Sequence, residues 1–473
     1  MLKKIYLFGF LFVALCAVNA QNNPLILKFF VSDAADAKIR LNTQGTYAYT
    51  YVKTNNASIT GSGSGVSGLT EITVPSIGTY NVSITPTGIF RFNGGPDIDK
   101  IVELTQWGQI NWNTNLAGMF AGYANIQITA TDIPDFSGVT NLNSFFSGCT
   151  NLSIVNNINN WNVSSVTDMS SLFYNAKAFN KPIGNWNTTN VTNMNRMFFY
   201  ADAFNQDISS WNVANVTDMS YMFNRAKAFN QNINSWNVSN VQNMSMMFEA
   251  SQAFNQPLNN WNTSNVTNMS QMFMYPSFNQ DISSWDVSNV TNMSMMFWSN
   301  SSFNKSLGSW TLSPLVNLTE IFGYSGLDCG NYGATLKGWA DNPNSPLGRL
   351  VGAVGRSFGN GGQIYRNQLI NSKGWTFVGD SYSPGCLEPF LAVEDLTSGK
   401  TKLTLYPNPA AETVFIKSEQ RTKSVQLIDA SGKIVLNAAQ TNQISVHHLP
   451  AGVYFVKVTL ADGSESTHKL IKK

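Results

Sequence analysis

Apolar residues recur through the middle of this chain at helix spacing and in a fixed register. Met169, Leu172, Phe173 and Ala176 fall at i, i+3, i+4 and i+7, a stripe that predicts a helix of one to two turns. Thr167 or Asp168 stands where its N-cap belongs. The stripe returns as Met194, Met197 and Phe198, then as Met219, Met222 and Phe223. Ahead of it Trp161, Asn162 and Val163 alternate inward apolar with outward polar, predicting a short strand that pairs in parallel with its copy in the next unit. The tryptophans Trp161, Trp186, Trp211, Trp236, Trp261, Trp285 and Trp310 step by 25 residues, apart from a step of 24 to Trp285. Such regularity predicts a solenoid of stacked units.

Worn units flank the regular ones: Trp112 to Phe120 and Val139 to Phe146 at the start, Leu315 to Phe322 at the end. End units must cover the interior, so they are expected to differ. Strands in such a stack lie about 4.8 Å apart, so eight or nine units would span roughly 40 Å. A unit's six or so large apolar side chains are worth ~1.5–3 kcal/mol each when buried. Ordering its backbone costs more than that sum, at ~1–2 kcal/mol per residue. A lone unit should therefore not fold, and its neighbours must complete its core.

The flanks read differently. Tyr47 to Val52 and Tyr80 to Ile84 alternate at strand period, with Gly61-Ser62-Gly63-Ser64-Gly65 between them read as a flexible loop. After the units, Tyr332, Leu336 and Trp339 predict one helix face, and Tyr365, Leu369 and Ile370 a second helix closed by Gly374. Together these helices would cap the stack. A linker with Pro384, Gly385 and Gly399 follows. Ser424 to Asp429 and Val453 to Val458 then predict strands of a terminal β domain, with Gly432 at a hairpin turn.

Composition narrows the function classes. Only 12% of the 473 residues are charged and the net charge is +2, which argues against electrostatic binding to nucleic acid. Lys3 and Lys4, an apolar run from Ile5 to Val18 and small residues up to Ala20 predict a signal peptide cleaved between Ala20 and Gln21. Cys16 raises a lipoprotein alternative, but Leu15 before it fits that poorly. No other segment is long and apolar enough to span a membrane. Cleavage would leave Cys149, Cys329 and Cys386, with no zinc-like spacing. Cys329 and Cys386 either pair in an oxidising compartment or stay unpaired as small hydrophobes.

The repeated W-N-V-S-N-V-T-x-M-S-x-M-F-x-x-A-x-x-F-N-Q resembles the BspA-like leucine-rich repeat of bacterial surface proteins. That resemblance implies a curved solenoid exposed on the cell surface, and for some members adhesion. Gly78 to Ile84 is similar to the PKD-like β-sandwich that often precedes such repeats. Tyr406-Pro407-Asn408-Pro409, Gly432, Pro450, Gly452, Tyr454 and the basic end Lys469 to Lys473 resemble the type A sorting domain of the type IX secretion system. This second resemblance implies a Bacteroidetes source, Sec export and transfer across the outer membrane by the type IX machinery. It also implies removal of the domain, with the passenger anchored to lipopolysaccharide or released. The expected fold class is thus an α/β repeat solenoid of leucine-rich-repeat type, flanked by all-β sandwich domains. Its boundaries are a signal peptide at 1–20, a β domain at 21–97, the solenoid at 98–324, its cap at 325–380, a linker at 381–402 and the sorting domain at 403–473.

Candidate chemistry is sparse. His447, His448 and His468 all lie in the last domain, so the passenger lacks histidine for Ser-His-Asp or Cys-His catalysis and for histidine metal sites. Asp168 with Asp218, and Asp207 with Asp281, fall in columns and are candidate glycosidase pairs. Other units place Asn or Pro there, so capping and turn roles are favoured. The tryptophan column reads as a buried stack rather than a sugar-binding strip, and the methionine columns as core rather than copper ligands. The Thr column reads as N-caps rather than an ice-binding array. No catalytic, metal or cofactor site is assigned. The function expected is non-enzymatic adhesion or recognition of an extracellular protein or glycan. Glycan degradation and a structural matrix role are the alternatives. Adjacent units are expected to differ at few exposed positions, so no binding face is assigned.

Overall fold

The computed structural model of the chain describes residues 23–386, 388, 403–418, 420–429 and 432–473. The cleavage point at Ala20 and Gln21, Cys16 and most of the linker lie outside them. The architecture is largely β-stranded, with sheets at both ends and few short helices.

Strands β1 (Leu25–Val31), β2 (Lys38–Lys53), β3 (Asn56–Thr73), β4 (Gly78–Pro86), β5 (Arg91–Phe92), β6 (Ile101–Gln106) and β7 (Gln127–Ile128) form the first sheet. Where a two-sheet sandwich was expected, hydrogen bonds link all seven into one sheet of order β3-β2-β4-β1-β6-β7, with β5 on β2. The Gly-Ser run expected as a loop lies inside β3. A Cβ on Gly61 would come 2.5 Å from the Tyr51 ring, and one on Gly63 would come 2.6 Å from the Tyr49 ring. Glycine there lets two tyrosines lie across the neighbouring strand. β6 pairs in parallel with β7, and Ile128 bridges to Val155, so the sheet passes directly into the repeats. One apolar core runs from Leu25 to Trp375.

The repeats stack as coils, but their backbone departs from the sequence expectation at two points. The first concerns the predicted helix. From Met169 the alternate amides of Met169, Ser171, Phe173 and Asn175 donate to Asn193, Asn195, Met197 and Phe199 of the next coil. The amides between them close turns: Leu172 donates to Met169, Tyr174 to Ser171 and Ala176 to Phe173. A helix would use all these amides within its own coil and leave none for the neighbour. Successive turns keep the i, i+3, i+4, i+7 apolar spacing, so Met169, Leu172, Phe173 and Ala176 are all buried.

The second departure is the strand. Trp161 to Val163 forms no ladder. Parallel pairing falls instead at Asn141, Asp168, Asn193, Asp218, Asn243, Asn268, Asn292 and Asn317, each bridged to the next as an isolated contact. The side chain of Asn162 accepts from the amide of Ser164, which turns the chain there. Tryptophan stacks on tryptophan along the core: Trp186 and Trp211 have ring centroids 6.2 Å apart and planes 2° apart. From Trp186 to Trp310 each indole N–H reaches a carbonyl of the preceding coil, as Trp211 does to Ile183 at 3.0 Å, whereas the buried indole N–H of Trp161 has no partner among the described residues. The buried-stack reading of these tryptophans matches this arrangement.

Both ends are covered. Arg91 donates to the carbonyls of Asn115 and Ala117, each at 2.8 Å, on the outer rim of the first coil. At the other end Phe322 and Tyr324 donate to Gly352 and Val354, in and just beyond strand β8 (Leu350–Gly352). Helices α1 (Cys329–Asp341) and α2 (Asn360–Lys373) close this end as the sequence predicted, with Tyr332, Leu336, Trp339, Tyr365 and Leu369 buried. Gly374 ends α2 at φ +68, and short strands β9 (Ser357–Phe358), β10 (Thr376–Val378) and β11 (Ser381–Tyr382) complete the cap, with β10 parallel to β8 and β11 parallel to β9. Cys329 and Cys386 form a disulfide. Glu388 then accepts from the amides of Gly359, Gly361 and Gly362 at the start of α2.

The last segment has its own core, built on Val414, Val425, Leu427, Val456, Val458 and Leu470. A sheet of β12 (Thr404–Tyr406), β13 (Thr413–Lys417) and β16 (Gln443–Ser445) accompanies a second, formed by β14 (Thr422–Asp429), β15 (Ile434–Ala439), β17 (Gly452–Leu460) and β18 (Glu465–Lys472) in the order β15-β14-β17-β18.

Candidate functional site

Most of the coil surface is committed to holding neighbouring coils together. The Thr column does not cap helices: Thr192 Oγ1 donates to the carbonyl of Thr167 at 3.2 Å and Thr217 to that of Thr192 at 3.3 Å. Side-chain amides do the same, Asn215 donating to Thr189 at 2.8 Å and Asn240 to Ala214 at 2.7 Å. These polar groups repeat from coil to coil and are already bonded.

The candidate carboxylate pairs are turn-formers. Asp168 accepts from the amide and hydroxyl of Ser170, and Asp218 from those of Ser220. Asp207 and Asp281 accept from the amides of Ser209 and Ser283, each at 2.9 Å. Those hydrogen bonds hold both carboxyls below the usual range. Glycoside hydrolysis needs one carboxyl raised so that it can act as acid. Asn232 takes the same role in its own coil, accepting from Asn234 at 3.0 Å, which explains why charge is dispensable in that column. Among the described residues no group of three or more His, Cys, Asp or Glu could hold a metal ion.

One face is different. In each turn ladder two residues four apart take a left-handed backbone, such as Ser171 and Asn175 at φ 55 and 54. The equivalent pairs are Arg196 with Tyr200, Tyr221 with Arg225, Met246 with Ala250, Gln271 with Tyr275, Met295 with Ser299, and Glu320 with Tyr324. All these side chains are half-buried or exposed. The column between them runs Tyr174, Phe199, Asn224, Glu249, Met274 and Trp298. Here neighbouring coils share almost nothing, which corrects the expectation that they differ at few exposed positions.

The face is rich in aromatic, Met and Arg side chains, the residue types enriched at protein interfaces. Tyr174 stacks on Phe199 at 4.9 Å and 1°. The guanidinium of Arg196 lies 4.6 Å from the Tyr221 ring centre, and that of Arg225 lies 5.1 Å from Tyr200. Two cation–π pairs thus sit side by side with their partners exchanged between adjacent coils. The sequence carried a signal for this face: its columns are the variable positions of the repeat motif.

In the terminal domain the sequence-predicted residues gather at one end. Tyr406 is exposed on β12 and stacks on Phe415 at 5.6 Å. After Pro407, the Asn408 side chain donates to the carbonyl of Lys469 at 2.7 Å and accepts from the amide of Ile471 at 2.9 Å. Beyond Pro409, Ala410 donates to Ile471, and Lys473 donates back to Ala410. Gly452 pairs with Lys472 across β17 and β18, and Asp429, three residues before Gly432, pairs with Tyr454. Gly432 turns at φ +87. The Tyr454 hydroxyl donates to the carbonyl of Pro450 at 3.0 Å. The motif is therefore a stitch between the first and last strands of the domain.

Residues 114–236 and 226–331 match a family described as Mycoplasma protein of unknown function, DUF285, which assigns neither activity nor fold. Residues 404–473 match the secretion system C-terminal sorting domain, so such a domain is present here. No curated protein and no solved structure matches the chain. Among the described residues no helix is long and apolar enough to cross a membrane.

Proposed function

We propose that this chain is an exported, non-enzymatic recognition protein whose coils form a BspA-like leucine-rich solenoid. In this reading its turn face binds an extracellular protein or glycan. The sorting domain directs it to the type IX machinery after Sec export and cleavage between Ala20 and Gln21. Tyr406 to Pro409, Gly432, Pro450, Gly452, Tyr454, Lys469 and Lys473 form the sorting signal. The passenger then ends on the cell surface or outside it.

The observation that carries the reading is the confinement of variability. The coils repeat most of the polar residues that bond coil to coil, and vary along the columns of the turn face. Most side chains there are half-buried or exposed, while the buried Asn224 joins coils by donating its side-chain amide to Glu249. A purely structural stack has no need for that contrast.

The test is saturable binding of the purified full-length chain to arrays of extracellular matrix proteins and glycans. Replacing Phe199 and Tyr221 together by Ser should weaken the best binder about tenfold or more, because aromatic anchors dominate such interfaces. Binding that survives the double substitution would move recognition off this face. Concentration-dependent self-association without any binder would favour a structural matrix role.

A further inference from the structure

The turn face changes character at its last coils. The column that carries Trp298 ends in Gly323. A Cβ on Gly323 would come 2.7 Å from Trp298 Cδ1 and 3.1 Å from its Nε1, so the indole lies across backbone that glycine leaves bare. Tyr275 stands one coil before Trp298 and Tyr324 one coil after it, 45% and 55% exposed. Their rings make angles of 86° and 88° with the indole, at centroid distances of 5.1 and 5.9 Å. Glu320 joins them: its Oε2 would be 2.8 Å from the same Gly323 Cβ. Its carboxylate has no hydrogen-bond or ion-pair partner among the described residues.

Three aromatic rings and one unpaired carboxylate define the occupant by charge. The negative faces of aromatic rings attract a cation, and a carboxylate beside them adds to that attraction. The same columns show the pairing upstream, where Tyr221 and Tyr200 hold the chain's own Arg196 and Arg225. Among the described residues no such cation lies over Tyr275, Trp298 or Tyr324. A sugar ring stacks on a flat platform, whereas these rings stand nearly at right angles.

We propose that Tyr275, Trp298, Tyr324 and Glu320 form a cleft that takes a lysine or arginine side chain of a protein partner. The proposal rests on the recognition reading of the turn face and names its partner's chemistry at one end.

The test uses the full-length chain and a dye-labelled, capped oligolysine peptide at physiological ionic strength, followed by fluorescence anisotropy. An otherwise identical norleucine peptide is the uncharged control. Saturable binding is expected for oligolysine alone. Glu320→Gln and Trp298→Ala should each weaken it about fivefold, while Glu412→Gln, at an exposed carboxylate of the terminal domain, leaves it unchanged. Glu320→Gln replaces a partly exposed side chain by its isostere, so a folding defect would not mimic the effect. Equal binding of both peptides, or full affinity in Glu320→Gln, would overturn the cleft. So would an oligosaccharide whose binding is lost in Trp298→Ala and kept in Glu320→Gln. If the peptide fails but the Phe199 and Tyr221 double substitution still weakens an array binder about tenfold or more, the cleft is wrong and the recognition face stands. If neither substitution set changes any binding, both are wrong.

Discussion

At the scale of single residues, the turn ladder depends on backbone that L-amino acids seldom adopt. Left-handed φ costs a residue with a Cβ about 1–2 kcal/mol, and β-branched side chains are genuine outliers there. The first two coils use Gly118, Gly122 and Gly148 at these positions, with Ser144. Later coils use Ser, Asn, Arg, Tyr, Met, Ala, Gln and Glu, and never Val, Ile or Thr. Ala250 sits at φ 53 with its side chain half-buried. Ala250→Val should therefore lower stability by about 1–2 kcal/mol, read from the urea midpoint. Ala250→Gly should stay within about 1 kcal/mol of the parent, because relief of strain offsets the added freedom of the unfolded chain. Equal midpoints for Val and Gly would mean that the backbone relaxes out of the left-handed region.

At the scale of elements, the sequence was legible where side-chain spacing and backbone type go together. Tyr332, Leu336 and Trp339 predicted α1 and lie buried along it, and Gly374 predicted the end of α2. It was not legible where two backbones yield one spacing. Met169, Leu172, Phe173 and Ala176 fit a helix face equally well as successive turns, and only the bonds to the next coil separate the two. Likewise Gly61 and Gly63 read as flexible until Tyr51 and Tyr49 are seen lying over them. The turn face was not legible because the repeat motif is defined by what the coils share, and this face lies at the positions where they differ. The C-terminal cap was legible as helices, but the hydrogen bonds that close the two ends of the stack were not. Arg91 is the clearest case, since nothing around it in sequence points to the carbonyls of Asn115 and Ala117. Removing those donors with Arg91→Met should cost about 1–3 kcal/mol. The coil from Leu116 to Gly122 should then exchange its amide hydrogens faster than the central coils. Unchanged protection there would mean that water replaces the guanidinium at no cost.

At the scale of the whole molecule, each central coil touches only its neighbours, so the stack should tolerate a change in number better than a change in phase. Excising residues 212–236 removes one whole period, from just after one column tryptophan to the next. That variant should fold, with native-like circular dichroism and a modestly lower melting temperature. Excising roughly half as many residues from the same place would set the tryptophan column against the turn ladder and should give an aggregated product. Equal behaviour of the two deletions would contradict a stack held in register by its columns. The hydrogen bonds that join coils run along the stack, so they also decide how it bears load. A molecule held at one end and pulled at the other would carry tension through bonds that yield coil by coil. Each coil released would add about 8–9 nm of chain. A tether of this kind lengthens in steps under drag before it breaks, and it shortens again when the flow slackens.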